Sequence, residues 1–245
     1  MVKGDESPSY TKQLLALYSS VYKTVHCPLA SGKASPVWLA DQSSETHFTV
    51  RSKKQYKALN YGALGVVIGH EITHGFDNSG RERDHEGNLH EWWTAETDAE
   101  YASRSRCFAD QYEAFDVSQI LSPYERDGAE VKINGVASKG ENIADNGGTR
   151  AAWLAYRRRV EASGERLRLP GLEGYTQDQL FFISFGQLWC SQFTPWSLNF
   201  LLSTDVHIPG AFRIKGVLQN LREFSHAFGC AANATFNPER KCVLW

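Results

Sequence analysis

No run of apolar residues in this chain approaches the length that crosses a bilayer, and the polar start Met1-Val-Lys-Gly-Asp-Glu6 carries no signal-peptide pattern. Charge of one sign is also missing. With 26 Lys and Arg against 28 Asp and Glu, the formal net charge is -2, too small to draw the whole chain to nucleic acid or an anionic membrane. The only basic run, Arg157-Arg158-Arg159, falls late in an expected helix, where it suits solvent or the helix dipole better than phosphate. Cysteine is scarce: Cys27, Cys107, Cys190, Cys230 and Cys242 include no C-x-x-C pair, which argues against a cysteine-built zinc site. Their odd number leaves at least one thiol without a partner inside the chain. Internal repeats and low-complexity tracts are absent as well.

What remains is a chain of 245 residues, 42% hydrophobic and 12% aromatic, long enough for a sizeable core. Helical periods dominate. Apolar residues from Tyr10 to Val25 recur at helical spacing behind Ser9, and a polar, broken stretch over 27–50 reads as loop. A second helix is expected from Tyr61 to Asp77, followed by a polar loop to Gly87. Thr94 caps a third through Phe115, and Thr176-Gln-Asp-Gln179 is a capping box for a helix through Cys190. Further helices are expected over 140–162, ended by Gly164, and over 212–228, ended by Gly229. Asn134-Gly135, between Val131 and Val136, signals a β-hairpin. The class is mainly α with a few short strands.

The segment Val66-Val-Ile-Gly-His70-Glu71-Ile-Thr-His74 carries the chemistry. At 3.6 residues per turn His70 and His74 share one helix face, the arrangement two imidazoles need on one Zn²⁺. Glu71 lies beside them, where a carboxylate can accept a proton from a water the metal activates. Two histidines on an apolar helix could instead be satisfied core residues, and H-E-x-x-H can arise by chance on a solvated helix. Against chance, Leu64, Val66, Val67 and Ile68 are apolar, and burying two histidines and a glutamate needs a reason. The long metzincin form is excluded, because Asp77 stands where its glycine would be. A later helix supplies the third ligand instead. Glu141 and Asp145, four apart in Gly140-Glu-Asn-Ile-Ala-Asp-Asn-Gly-Gly148, share a face; Glu141 suits the metal and Asp145 the outer N–H of a ligand histidine. A solvated acidic face is the plainer reading of that pair. Gly147 and Gly148 oppose it, since each costs about 1 kcal/mol in a helix and so signals close backbone approach.

Together these segments resemble the neprilysin and endothelin-converting-enzyme family of zinc endopeptidases. Asn60-Tyr-Gly62, Val67 to Asp77, Trp92-Trp-Thr94, Gly140 to Gly148, Gln187-Leu-Trp-Cys190, Asp205-Val-His-Ile-Pro-Gly-Ala-Phe-Arg213 and Cys242-Val-Leu-Trp245 all carry the likeness, in order, from about Asn60 to the last residue. The resemblance implies a thermolysin-like catalytic domain holding one Zn²⁺ on His70, His74 and Glu141, with Glu71 as general base. It implies Asp145 as partner of His70, His207 as oxyanion donor and Arg213 as holder of a substrate carbonyl. Val66, Val67, Leu188 and Trp189 resemble the pocket wall for the residue after the scissile bond, which implies cleavage on the amino side of large hydrophobic residues. A Cys107–Cys242 disulfide is implied, with Cys190 and Cys230 left unpaired or mispaired. Cys27 has no recognisable counterpart.

Residues 1–55 carry no recognisable counterpart of the family's substrate-binding strand, so the chain divides into a divergent segment, 1–55, and a catalytic domain, 56–245. The family's N-terminal helical domain and membrane anchor are expected to be missing. The expected activity is zinc-dependent cleavage of short peptides; the alternative is a zinc-binding fragment or variant product with an incomplete cleft. A nucleic-acid module has only the Arg157 run behind it. Composition leaves the compartment open, whereas the resemblance implies an extracellular setting, in which Asn233-Ala-Thr235 would be an N-glycosylation acceptor.

Overall fold

Two glycines set the architecture. A Cβ on Gly69 would lie 2.6 Å from the Gly148 carbonyl oxygen, and one on Gly148 would lie 2.4 Å from the His70 amide nitrogen. Two helices therefore cross at backbone contact, as Gly147 and Gly148 lead one to expect; a Cβ on Gly147 would lie 2.6 Å from the Thr73 side chain. The computed structural model describes residues 56–117, 131–163, 168–169, 171–191 and 193–245. The expected helix at 9–25, the loop over 27–50, Cys27 and the Gly164 stop lie outside them.

The first helical run begins as α1 (Lys57–Asn60), passes through a π-helical turn at Tyr61–Gly65, continues as α2 (Val66–Thr73) and ends in a 3₁₀ turn at His74–Phe76. After the polar loop come α3 (Ala95–Glu113), α4 (Lys139–Ser163) and α5 (Gln177–Leu188). Then follow α6 (Pro195–Thr204), α7 (Gly210–Asn220) and α8 (Arg222–Ala227). Among the described residues strand structure shrinks to two antiparallel bridges, Arg83 with Leu89 and Asp116 with Lys132. No helix among them is long and apolar enough to cross a membrane.

The caps form as their residues dictate. Thr94 accepts the Thr97 N–H at 3.2 Å, and Thr176 and Gln179 exchange both capping-box bonds, at 3.1 and 3.0 Å. Two expectations change, and one helix is new. Asn134-Gly135 makes no hairpin: neither residue has the positive φ that a type I′ turn demands. Asn134 instead opens the turn that leads into α4, its side chain accepting the Ala137 N–H and its carbonyl the Ser138 N–H. Gly135 lies so close to the Ala109 carbonyl that a Cβ would fall 2.1 Å from it. The expected helix 212–228 starts at Gly210 and breaks at Leu221, whose backbone is extended and whose side chain is buried. And α6, not anticipated, forms behind the Thr194 cap.

Two apolar clusters flank the α2–α4 crossing. One packs Ala58, Leu59, Val66, Trp153, Tyr156, Phe181, Phe182, Val217 and Phe224 among others. The other packs Phe108, Tyr112, Ile143, Leu198, Ile208, Phe212, Cys242 and Leu244 among others. A buried polar network joins the elements near the second. Asn146 donates to the Tyr112 hydroxyl at 3.0 Å, and Asn220 bonds Asn146 and Gln111, both at 2.8 Å. Asn220 also accepts the Cys242 N–H at 2.9 Å. These bonds fix α3, α4, α7 and the C-terminal tail in one register, each buried polar group finding a partner.

Candidate metal centre

Helical spacing puts His70 and His74 on one face of the α2 run, and the close crossing brings α4 beneath them. Their Nε2 atoms are 3.0 Å apart, and Glu141 Oε2 lies 3.2 Å from that of His70 and 3.6 Å from that of His74. His70 is buried; His74 and Glu141 are half-buried. Each imidazole is held from behind: His70 Nδ1 donates to Asp145 Oδ1 at 2.9 Å, and His74 Nδ1 to Asp77 Oδ2 at 2.7 Å. With both ring protons committed outward, the three inner atoms are all acceptors. Glu141 Oε2, itself buried, then has no hydrogen-bond donor.

Three converging lone pairs need a cation. A proton serves in part: burial alone would depress the His70 pKa, yet the carboxylates of Asp145 and Glu141 outweigh it and raise it to about 9. Burial would likewise push both carboxyls up, but His70 with Arg213, and His70 with His207 and His74, hold Asp145 and Glu141 below the usual range. Only a metal ion satisfies all three acceptors at once. Two imidazole nitrogens and one carboxylate oxygen, each histidine backed by a carboxylate, form a donor set that suits zinc.

Two further side chains complete the centre. His207 extends from the loop before α7 to place Nε2 3.0 Å from Glu141 Oε2, while its Nδ1 meets Asp205 Oδ1 at 2.8 Å. Arg213, buried on α7, donates from Nε and Nη2 to the two oxygens of Asp145, both at 2.7 Å, with its guanidinium carbon 3.6 Å from the Trp189 ring centroid. Asp145 is wholly buried and serves His70 and Arg213 together.

The chain belongs to peptidase family M13. The model of that family matches residues 49–244. Among curated relatives, Neprilysin-11 of Caenorhabditis elegans is 43% identical over 189 residues, covering 77% of this chain and 21% of its own length. Neprilysin of Homo sapiens is 41% identical over 245 residues, covering 97% of this chain and 31% of its own. Of solved structures, the Mycobacterium tuberculosis zinc metalloprotease Zmp1 in complex with inhibitor superimposes with TM-score 0.68 at 33% identity, over 77% of this chain and 28% of that one. This chain thus spans between 21% and 31% of the length of the curated relatives described here. As an M13 chain it has the expected thermolysin-like, mainly helical zinc-peptidase fold.

The remaining expected site residues are placed as follows. Glu71 is exposed on α2, beside the ligand pair. Val66 is wholly buried, Val67 half-buried, and Leu188 and Trp189 are half-buried against the cluster that contains Val66. Cys107 and Cys242 form the expected disulfide. Cys190 is free, its thiol pKa pushed up by burial, while Cys230, expected unpaired or mispaired, is disulfide-bonded. Asn233 is exposed.

Sequence reasoning missed two orienting carboxylates. Asp77 sits three residues after His74 and Asp205 two before His207, spacings at which a short acidic side chain turns back on its neighbour. It also missed that Arg213 belongs to Asp145, 68 positions away.

Proposed function

We propose that this chain carries the catalytic machinery of a zinc endopeptidase that cuts short peptides on the amino side of large hydrophobic residues. The observation that carries the reading is the convergence of His70 Nε2, His74 Nε2 and Glu141 Oε2, three acceptors with no donor between them. His70, His74 and Glu141 would hold Zn²⁺, which would supply Lewis acidity toward a scissile carbonyl and a water of lowered pKa. Glu71 takes the proton of the attacking water and returns it to the leaving amine. His207 stabilises the oxyanion from Nε2. Asp205, 2.8 Å from Nδ1, fixes the ring so that Nε2 faces the centre. Arg213 has Nε and Nη2 committed to Asp145, so its Nη1 is the nitrogen free to hold a substrate carbonyl. The half-buried side chains Val67, Leu188 and Trp189, behind which Val66 is buried, favour an apolar side chain after the cut.

A peptide is the substrate class these groups suit, and the Cys107–Cys242 disulfide favours an extracellular setting. A second reading, a zinc-binding portion that turns over little peptide by itself, rests on α2. Leu64, Ile68 and Ile72 line one side of the metal helix and are 64%, 53% and 64% exposed. Among the described residues no element covers these apolar side chains, and an uncovered cleft neither aligns the peptide nor excludes water.

The deciding experiment is zinc stoichiometry and kcat/KM, measured on one purified sample with a short peptide bearing a hydrophobic residue after the scissile bond. One zinc with kcat/KM above about 10⁴ M⁻¹s⁻¹ establishes a complete peptidase. One zinc with turnover orders of magnitude lower establishes the second reading. Failure to bind zinc removes both.

A further inference from the structure

Asn233-Ala234-Thr235 is the single N-x-Ser/Thr triplet in the chain, and the peptidase machinery makes no use of it. The triplet lies in a tight turn after α8. The Asn233 N–H donates to the Asn237 carbonyl at 3.0 Å, Ala234 N–H to the Ala231 carbonyl at 3.2 Å, and Asn237 N–H to the Ala234 carbonyl at 2.8 Å. Asn237 reaches back through its side chain to the carbonyls of Cys230 and Ala231, and Gln219 donates to the Thr235 carbonyl at 2.8 Å. Phe236 anchors the turn in the core beside Phe224. Where these bonds reach the triplet they use its backbone, and the Asn237 side chain ties the residues before it. The side chains of Asn233 and Thr235 are exposed, and no hydrogen bond among the described residues engages either.

Asn233 has φ 62°, the left-handed region that asparagine tolerates better than other side-chain-bearing residues. The turn thus tolerates few replacements at 233 while leaving the carboxamide in solvent. The triplet is also flanked by two disulfide-bonded cysteines, Cys230 and Cys242. Disulfides of this kind persist in the oxidising lumen in which asparagine-linked glycans are attached.

We propose that Asn233 is an N-glycosylation site, carrying one oligosaccharide on the solvent face of the α8 turn. The Asn233 carboxamide nitrogen becomes bonded to the sugar anomeric carbon; a lipid-linked pyrophosphoryl oligosaccharide is the donor, and its lipid pyrophosphate leaves. A bulky hydrophilic chain is accommodated because both functional side chains point away from the packed core and the turn is held without them. The inference goes beyond peptidase function and stands whether or not the chain turns over peptide.

The test is translation of the chain behind a cleavable secretion leader with endoplasmic-reticulum microsomes, followed by secretion from eukaryotic cells and intact mass before and after peptide-N-glycosidase F. Expected is a single glycoform, with Asn233 converted to aspartate on release, a gain of about 1 Da. Thr235→Ala should abolish the addition, and Thr235→Ser should retain it. The microsomal reaction reads modification even of a variant that fails to leave the cell. Both variants should keep the zinc content of the parent. Translocated protein with Asn233 unmodified, or sugar that persists in Thr235→Ala, overturns the proposal.

Discussion

Asp145 grips Arg213 with both carboxylate oxygens, at 2.7 Å each, while one of those oxygens also accepts from the metal-ligand histidine His70. A single buried carboxylate therefore couples the metal helix α2 to α7, through α4. Asp145→Asn keeps the shape but loses the charge. Zinc affinity should fall 10- to 100-fold, the usual cost of losing a carboxylate behind a ligand histidine. Arg213→Met should act on folding instead, costing about 3–5 kcal/mol by stranding a buried carboxylate with one partner fewer. Chelator competition and thermal denaturation separate the two effects. Equal zinc affinity in Asp145→Asn and the parent would show that His70 is oriented by packing alone.

Glu141→Ala removes the one acceptor that α4 contributes to the trio. Near-stoichiometric zinc should drop sharply in metal analysis after dialysis, with the fold retained by circular dichroism. Unchanged zinc would strike Glu141 from the ligand set, leaving it as a neighbour of His207 at 3.0 Å.

Glu71→Gln is nearly isosteric, and the exposed side chain at this position lies outside the trio His70, His74 and Glu141. Zinc should stay bound while peptide turnover falls by about 10²–10⁴, the range general-base catalysis supplies. Turnover at the parental rate in zinc-loaded Glu71→Gln would assign the base elsewhere.

Gly148→Ala places a methyl 2.4 Å from the His70 amide nitrogen, a backbone atom that cannot yield. The helices must part, so the protein should lose about 1–3 kcal/mol or more of stability and bind zinc more weakly. Gly75→Ala, where a Cβ meets nothing within 4 Å, is the matched control and should leave both quantities near the parent's. Comparable losses in the two variants would mean that the α2–α4 crossing tolerates separation.

Local chemistry wrote much of the fold into the sequence. Helix spans follow from apolar period, and the Thr94 and Thr176 caps from groups three residues apart; both depend on bonds within one turn. Asn134-Gly135 shows the limit. Its hairpin signal is real as a turn preference, but which turn forms depends on Gly135 meeting the Ala109 carbonyl of α3, a partner no local pattern contains. Leu221 is similar: the apolar spacing runs straight through it, and the break is set by burial and by Asn220 bonding three other segments.

For the site, the residue types that bind a metal were legible from His70, His74 and Glu141, because ligand chemistry admits few side chains and an α-helix fixes their spacing. Their placement was not. That Glu141 lies within reach of both histidines depends on two glycines at the α2–α4 crossing, and that His207 joins them depends on a loop held by Asp205. The sequence by itself determined which groups were available and on which local faces they stood. Only tertiary structure decided that Asp145 would divide one carboxylate between His70 and Arg213, because burial there makes a shared charge cheaper than two unpaired ones.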